Sequence, residues 1–248
     1  MIKRILFATR REATVPAEAV ASAWRQAADA VAEAPAAARP LRAVVCTALD
    51  DPRFGSPRHD LVGIEWFPDA ARFAAHQVWL DSPAGLAARS LVDEATAPGA
   101  TLIVVARERV PRGADWLAAR WRGGGIRFKH LALARRAAGL TPAAFSDLWA
   151  AHAGQLPVAA ATAPAVIPER VRGSAYVQNH PCPRPAGEEW PYDAVNEVYF
   201  TDQDGLAERV AWFRENPPDA GGDLFGPSEF LAVREELLLA APPGQPPG

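Results

Sequence analysis

Apolar and polar positions along this chain repeat with two distinct periods. Short runs such as Ile2-Lys3-Arg4-Ile5-Leu6-Phe7 and Asp193-Ala194-Val195-Asn196-Glu197-Val198-Tyr199-Phe200 carry the alternating or near-continuous pattern of strands. Stripes at i, i+3, i+4 and i+7 mark buried helix faces: Val20, Ala23, Trp24 and Ala27, and later Phe145, Leu148, Trp149 and His152. In the second half the pattern predicts a strand over about Ile126–Ala134. A helix follows, with Thr141 as N-cap and Pro142 at its first position, running to about Ala163. Strands at Ser174–Asn179 and Asp193–Phe200, a helix at Gln203–Glu215 and a strand near Phe230–Glu235 complete it. The first half reads in the same order.

Three anchors show that the halves are copies. Ile2-Lys3-Arg4-Ile5-Leu6 is echoed by Phe128-Lys129-His130-Leu131-Ala132, each followed by a double arginine, Arg10-Arg11 and Arg135-Arg136. The run from His59 to Phe67 is echoed by Tyr192 to Phe200, and Ile103 to Glu108 by Phe230 to Glu235. Lys3 and Lys129 lie 126 residues apart, Asp60 and Asp193 133, and Arg107 and Arg234 127, a constant shift with one loop insertion. Pro111 to Gly125, ending in three glycines, reads as a linker with a short helix over Asp115–Arg122. The expected organisation is a repeat over 1–110, a linker over 111–125, a second repeat over 126–239 and a frayed Pro/Gly-rich tail over 240–248.

The order βαββαβ is that of a ferredoxin-like unit, a four-stranded antiparallel sheet with both helices on one face. Its other face is bare, and two units can cover each other there. The fold class expected is therefore α+β, with tandem ferredoxin-like repeats forming a dimeric-type α/β barrel around a central cavity. Whether the copies close one barrel within the chain or pair across a homodimer stays open.

Composition narrows the partners. With 248 residues, 49% hydrophobic and 22% charged, the chain has the make-up of a globular protein. A net charge of −3 and a pI near 6.0 supply no basic stripe for nucleic acid. The opening apolar run is too short for a membrane span or signal segment, and Cys46 and Cys182 form no CxxC, so a reducing cytoplasm is the default. No metal-binding, phosphate-loop or nucleophile-elbow motif is present, so no metal is expected.

One copy serves as comparator for the other. The apolar stripe of the first helix is kept in both, but His152 stands where the first copy has Ala27. The fold does not need an imidazole there, so a buried core histidine and a catalyst are equally open. On the third strand, alternation turns Val195, Glu197 and Tyr199 to the barrel interior and Ala194, Asn196, Val198 and Phe200 to the helices. Glu197 replaces Ile64 of the first copy. In an apolar cavity its pKa would rise, which suits acid–base work; the alternative is an ion pair with an arginine such as Arg135. Tyr176, Gln178 and His180 alternate onto one face of the second strand, expected to be the cavity, with Asn179 opposite. Asp60 and Asp193, shared by both copies, read as strand-start hydrogen bonds, and Lys3 and Lys129 as structural or solvated. His59 and His76 have no convincing partner in the sequence.

The second copy resembles the EthD family of dimeric α/β barrels over about Phe128 to Glu236. The resemblance rests on Arg135-Arg136-Ala137-Ala138-Gly139-Leu140-Thr141-Pro142, on Trp149-Ala150-Ala151-His152, on Tyr176-Val177-Gln178-Asn179-His180 and on Tyr192-Asp193-Ala194-Val195-Asn196-Glu197. The first copy matches in outline and lacks the histidine. The resemblance implies a barrel with no obligatory organic cofactor, often dimeric, and carries His152 and Glu197 over as functional positions. The expected function is a cofactor-independent lyase, cyclase or dehydratase acting on a small aromatic or polyketide-like carbonyl compound. His152 and Glu197 would do the acid–base work, with Trp149, Tyr176, Gln178, Tyr199 and His180 around the substrate. The alternatives are a non-catalytic small-molecule binding or accessory protein, and a haem-binding barrel with His152 as axial ligand.

Overall fold

A computed structural model describes residues 1–124, 127–151, 155–156, 165–216 and 224–240. The first half comprises β1 (Ile2–Ala8), α1 (Ala17–Ala32), β2 (Arg42–Ala48), β3 (Leu61–Phe67), α2 (Ala70–Leu80), α3 (Pro83–Ala95) and β4 (Leu102–Arg112). After α4 (Ala114–Gly123) come β5 (Arg127–Arg136), α5 (Pro142–Ala151), the short β6 (Gln155–Leu156) and β7 (Ala165–Val166), and a 3-10 turn at Glu169–Val171. β8 (Ala175–Pro181), β9 (Ala194–Phe200), α6 (Gln203–Glu215) and β10 (Phe225–Ala240) follow.

Eight strands close one antiparallel barrel in the order β1-β3-β2-β10-β5-β9-β8-β4. Each half contributes the ferredoxin-like order, β4-β1-β3-β2 and β10-β5-β9-β8. The seams are β10 on β2, with Val233 opposite Ala48, and β4 on β8, with Arg112 opposite Tyr176. Closure therefore takes place within one chain, and no second copy is needed to cover the sheet.

The shared aspartates do what the duplicated sequence implies. Asp60 accepts from the Arg10 main-chain N–H at 2.8 Å and from its Nε at 2.9 Å. Asp193 accepts from the Arg136 main-chain N–H at 3.0 Å and from its Nη1 at 2.5 Å. Each carboxylate fixes the end of its copy's first strand to the start of the third. Asp193→Ala leaves a partly buried guanidinium and an amide without their acceptor, so a loss of about 1.5–3 kcal/mol is expected in urea unfolding. Asp193→Asn, which keeps one acceptor oxygen, should recover part of it.

Thr141 accepts from the Ala144 N–H at 3.2 Å, as the N-cap reading requires. The helix it opens does not extend to Ala163: α5 is described only to Ala151, and Gln155–Leu156 pairs with Ala165–Val166 as strands. Gly154 and Pro157 in the sequence oppose helical continuation, a signal the apolar stripe outweighed. The segment expected as a linker is largely ordered, since β4 runs through Arg112 and α4 fills most of the rest. Leu117 of α4 packs on Ala175, Val177 and Tyr199, and Trp121 meets Trp66 at 6.0 Å between ring centroids.

The barrel interior is filled with side chains where a central cavity was expected. Ile5, Phe7, Val62, Ile64, Val104, Leu131, Leu133, Val195, Leu231 and Val233 form its apolar layers. At the level of Trp66 the filling becomes charged.

Candidate functional site

Glu197 faces the interior, as alternation predicts, but its surroundings correct the chemistry expected of it. Its carboxylate lies against the buried ammonium of Lys3 and 2.6 Å from that of Lys129. It also accepts from Tyr199 Oη at 2.9 Å and Asn179 Nδ2 at 3.0 Å. Burial would raise its pKa; the two lysines outweigh burial and hold it well below the usual carboxylate range. Its partners are thus lysines from both halves, and neither Arg135 nor solvent takes part. Lys3 and Lys129 are fully buried and structural rather than solvated.

The ion pairs extend symmetrically. Lys3 reaches Glu108 at 2.6 Å, and Lys129 reaches Glu235, which also meets Arg127 at 3.3 Å. Signs alternate along Glu108–Lys3–Glu197–Lys129–Glu235–Arg127, so the buried network is formally neutral. Glu197, at the position of Ile64, breaks the pseudo-twofold symmetry and serves both lysines. A carboxylate held by four donors orients no imidazole and carries no proton near neutral pH. Tyr199, expected to shape the pocket, belongs to this interior network.

Tyr176, Gln178 and His180 do share a face, but it is the outer one, beneath α5, while Asn179 turns inward to Glu197. The β8–β9 sheet separates the two groups. On the outer face Tyr176 Oη donates to Asn196 Oδ1 at 2.7 Å. Gln178 Nε2 donates to the Trp149 carbonyl at 3.0 Å and to Tyr176 Oη at 3.2 Å. His180 Nδ1 lies 2.9 Å from Ser146 Oγ, and its ring sits 4.4 Å from that of Trp149. Burial, then Arg109, lowers the His180 pKa, leaving a neutral imidazole at pH 7; burial raises that of Tyr176, keeping its hydroxyl protonated. His152 lies outside the described residues.

Sequence reasoning missed Arg209. It is buried on α6, donating from Nε to His130 Nδ1 at 2.9 Å and from Nη1 to the Val171 carbonyl at 2.8 Å. Burial brings its pKa down to about 9, so it remains a cation near neutrality. Among the described residues no carboxylate pairs with it. Arg112 and Arg172 nearby likewise donate to main-chain carbonyls, of Gly173 at 2.7 Å and Ile167 at 2.6 Å. The signal was available: Leu206, Arg209, Val210 and Phe213 form an i, i+3, i+4, i+7 stripe with a guanidinium inside it.

The first half, which lacks a histidine at the position of His152, holds a cavity of about 420 Å³ between its sheet and α1, α2 and α3. Ala27, the counterpart of His152, is part of its wall. His59 and His76 also have partners: His59 Nε2 lies 2.6 Å from Tyr192 Oη, and His76 Nδ1 lies 3.0 Å from the Ala38 carbonyl oxygen. Among the described residues no three His, Cys, Asp or Glu side chains gather to hold a metal ion. No helix among them is long and apolar enough to cross a membrane.

By strand order the chain is a tandem ferredoxin-like α/β barrel of the dimeric type. No family model matches it, and no curated protein does. Among solved structures it is similar to a monooxygenase candidate from Lactobacillus acidophilus NCFM, at 10% identity over 97% of this chain and 96% of that one, TM-score 0.47. Another, from Fusobacterium nucleatum subsp. nucleatum, is 7% identical over 96% and 92%, TM-score 0.48. A chlorite dismutase mutant from Candidatus Nitrospira defluvii is 10% identical over 94% and 90%, TM-score 0.43.

Proposed function

We propose that this chain is an EthD-like enzyme that enolises a small aromatic or polyketide-like carbonyl compound without an organic cofactor. The observation that carries the reading is the outer face of the second half, where Tyr176, Gln178 and His180 converge with Trp149 of α5, and where the buried Arg209, near Tyr176, has no carboxylate partner among the described residues. A neutral imidazole accepts a proton from carbon; a guanidinium in an apolar setting stabilises the enolate oxygen that forms. His180 supplies such an imidazole, with His152, three residues after Trp149 in the sequence, as a second candidate. Trp149, buried between Phe145 and His180, holds the His180 ring in place, and Tyr176 supplies a protonated hydroxyl. Glu197 has no part in this chemistry.

The test is deuterium exchange at C1 of 2-tetralone in D2O, followed by NMR. Acceleration by the wild type, lowered about 10²–10⁴-fold in His180→Ala or His152→Ala and about 10²–10³-fold in Arg209→Gln, is the expected result. Saturable binding of 2-tetralone with no exchange would replace the enzyme reading by that of a binding protein.

A further inference from the structure

We infer that the first half carries a second, non-catalytic binding site for a neutral, flat, fused-ring compound bearing a carbonyl, independent of the second-half chemistry. The cavity of about 420 Å³ falls within the range of small-molecule sites. It exists because small residues meet where helices cross the sheet: Ala27 and Ala28 on α1, Ala88 on α3 and Gly63 on β3. In the second half the corresponding helix instead packs Phe145 and Trp149 onto Ala134 and Ala194.

Charge and polarity select the ligand. The deep ionic groups are Arg4 and Glu65, which pair at 2.8 Å and cancel. Arg89 and Asp81, 3.5 Å apart, and Asp93 are exposed at the rim and solvated. An ionic ligand therefore finds no uncompensated charge in the depth of the cavity and loses its hydration on entry. Trp24 packs against Gly63, where an added Cβ would come within 2.5 Å of its indole nitrogen. This buried indole lines the cavity, and among the described residues its N–H finds no acceptor. A ligand carbonyl would supply one, and an aromatic body would fill the apolar walls.

The probe is prodan, a neutral naphthalene ketone whose emission reports polarity and hydrogen bonding. Wild type should bind it saturably at one site with blue-shifted emission. Ala27→Phe, which fills the cavity, should weaken binding at least tenfold with native circular dichroism. Trp24→Phe leaves the cavity open and removes the N–H, so it should weaken binding severalfold and shift the bound emission further to the blue. The anionic naphthalene 8-anilinonaphthalene-1-sulfonate should not displace prodan. Absence of saturable binding, undiminished binding in folded Ala27→Phe, or unchanged emission in Trp24→Phe would each overturn the inference. His180→Ala should bind prodan as wild type does, which separates this site from the enolisation site.

Discussion

Replacing Glu197 with glutamine is expected to lower the free energy of unfolding by about 3–5 kcal/mol, the usual cost of removing one partner from a buried ion pair. The effect is large because two fully buried ammonium groups, from opposite halves, share this carboxylate. Glutamine keeps the shape and a hydrogen-bond acceptor but leaves Lys3 and Lys129 one counter-charge short. Urea unfolding followed by circular dichroism measures the loss, and a double-mutant cycle with Lys3→Met should show non-additivity, since removing both charges restores the balance. The pH dependence follows from the shifts. Glu197 is depressed in the fold, so its contribution is fully present above the unfolded glutamate value of about 4.3 and is lost as pH falls through the folded value. Lys129 is raised, so its contribution is present below about 10.4 and is lost as pH rises through its folded value. Wild type should thus hold a plateau across neutral pH, and Glu197→Gln should be less stable throughout with a shallower acid decline. Unfolding of the variant at the wild-type urea concentration would remove the network from any account of stability.

The second large effect is expected at Gly113, which joins β4 to α4. Its φ of +79° is in the left-handed region, and an added Cβ would come within 2.4 Å of the Ser174 carbonyl oxygen and 2.6 Å of Ala175 Cα. Gly113→Ala therefore costs about 1–2 kcal/mol for the backbone conformation alone. The contact with main-chain atoms adds to this, because no flexible side chain can move away, giving a loss of about 3–4 kcal/mol. Gly99 is the control: its φ is +69° with nothing within 4 Å, so Gly99→Ala should pay the conformational cost only. The difference between the two variants measures the clash. Because α4 seats Leu117 and Trp121 over the charged end of the barrel, Gly113→Ala should also speed hydrogen exchange in β8 beyond what Gly99→Ala does. Equal losses in both variants would mean that α4 is free to shift.

Much of the architecture was legible in the residues themselves. Two copies of one strand–helix pattern implied two ferredoxin-like sheets, and alternation turned Glu197 and Tyr199 inward and grouped Tyr176, Gln178 and His180 opposite Asn179, but it assigned that group to the cavity, and the closed barrel turns it outward. Duplication marks Asp60 and Asp193 as structural from the residues alone. The reason is that these properties are local: a two-residue period assigns a face, and a shared residue implies a shared job. The N-cap at Thr141 was legible for the same reason, whereas the over-long helix behind it shows an apolar stripe outweighing Gly154 and Pro157.

What each face contains was not local. Alternation turned Glu197 inward but could not bring Lys3 to it from the opposite half; only the β2–β10 and β4–β8 seams do that, and they reverse the direction of its pKa. The same closure packed the interior, leaving the polar row of β8 facing α5. Arg209 meets His130 only once α6 lies on β5, and the first-half cavity is the gap left by small residues drawn from α1, α3 and β3. Sequence determined the two repeats and which residues of a strand share a face; the closed barrel decided which way the β8 row turns, and with it partners, protonation and empty space, because these depend on distances between residues far apart in the chain.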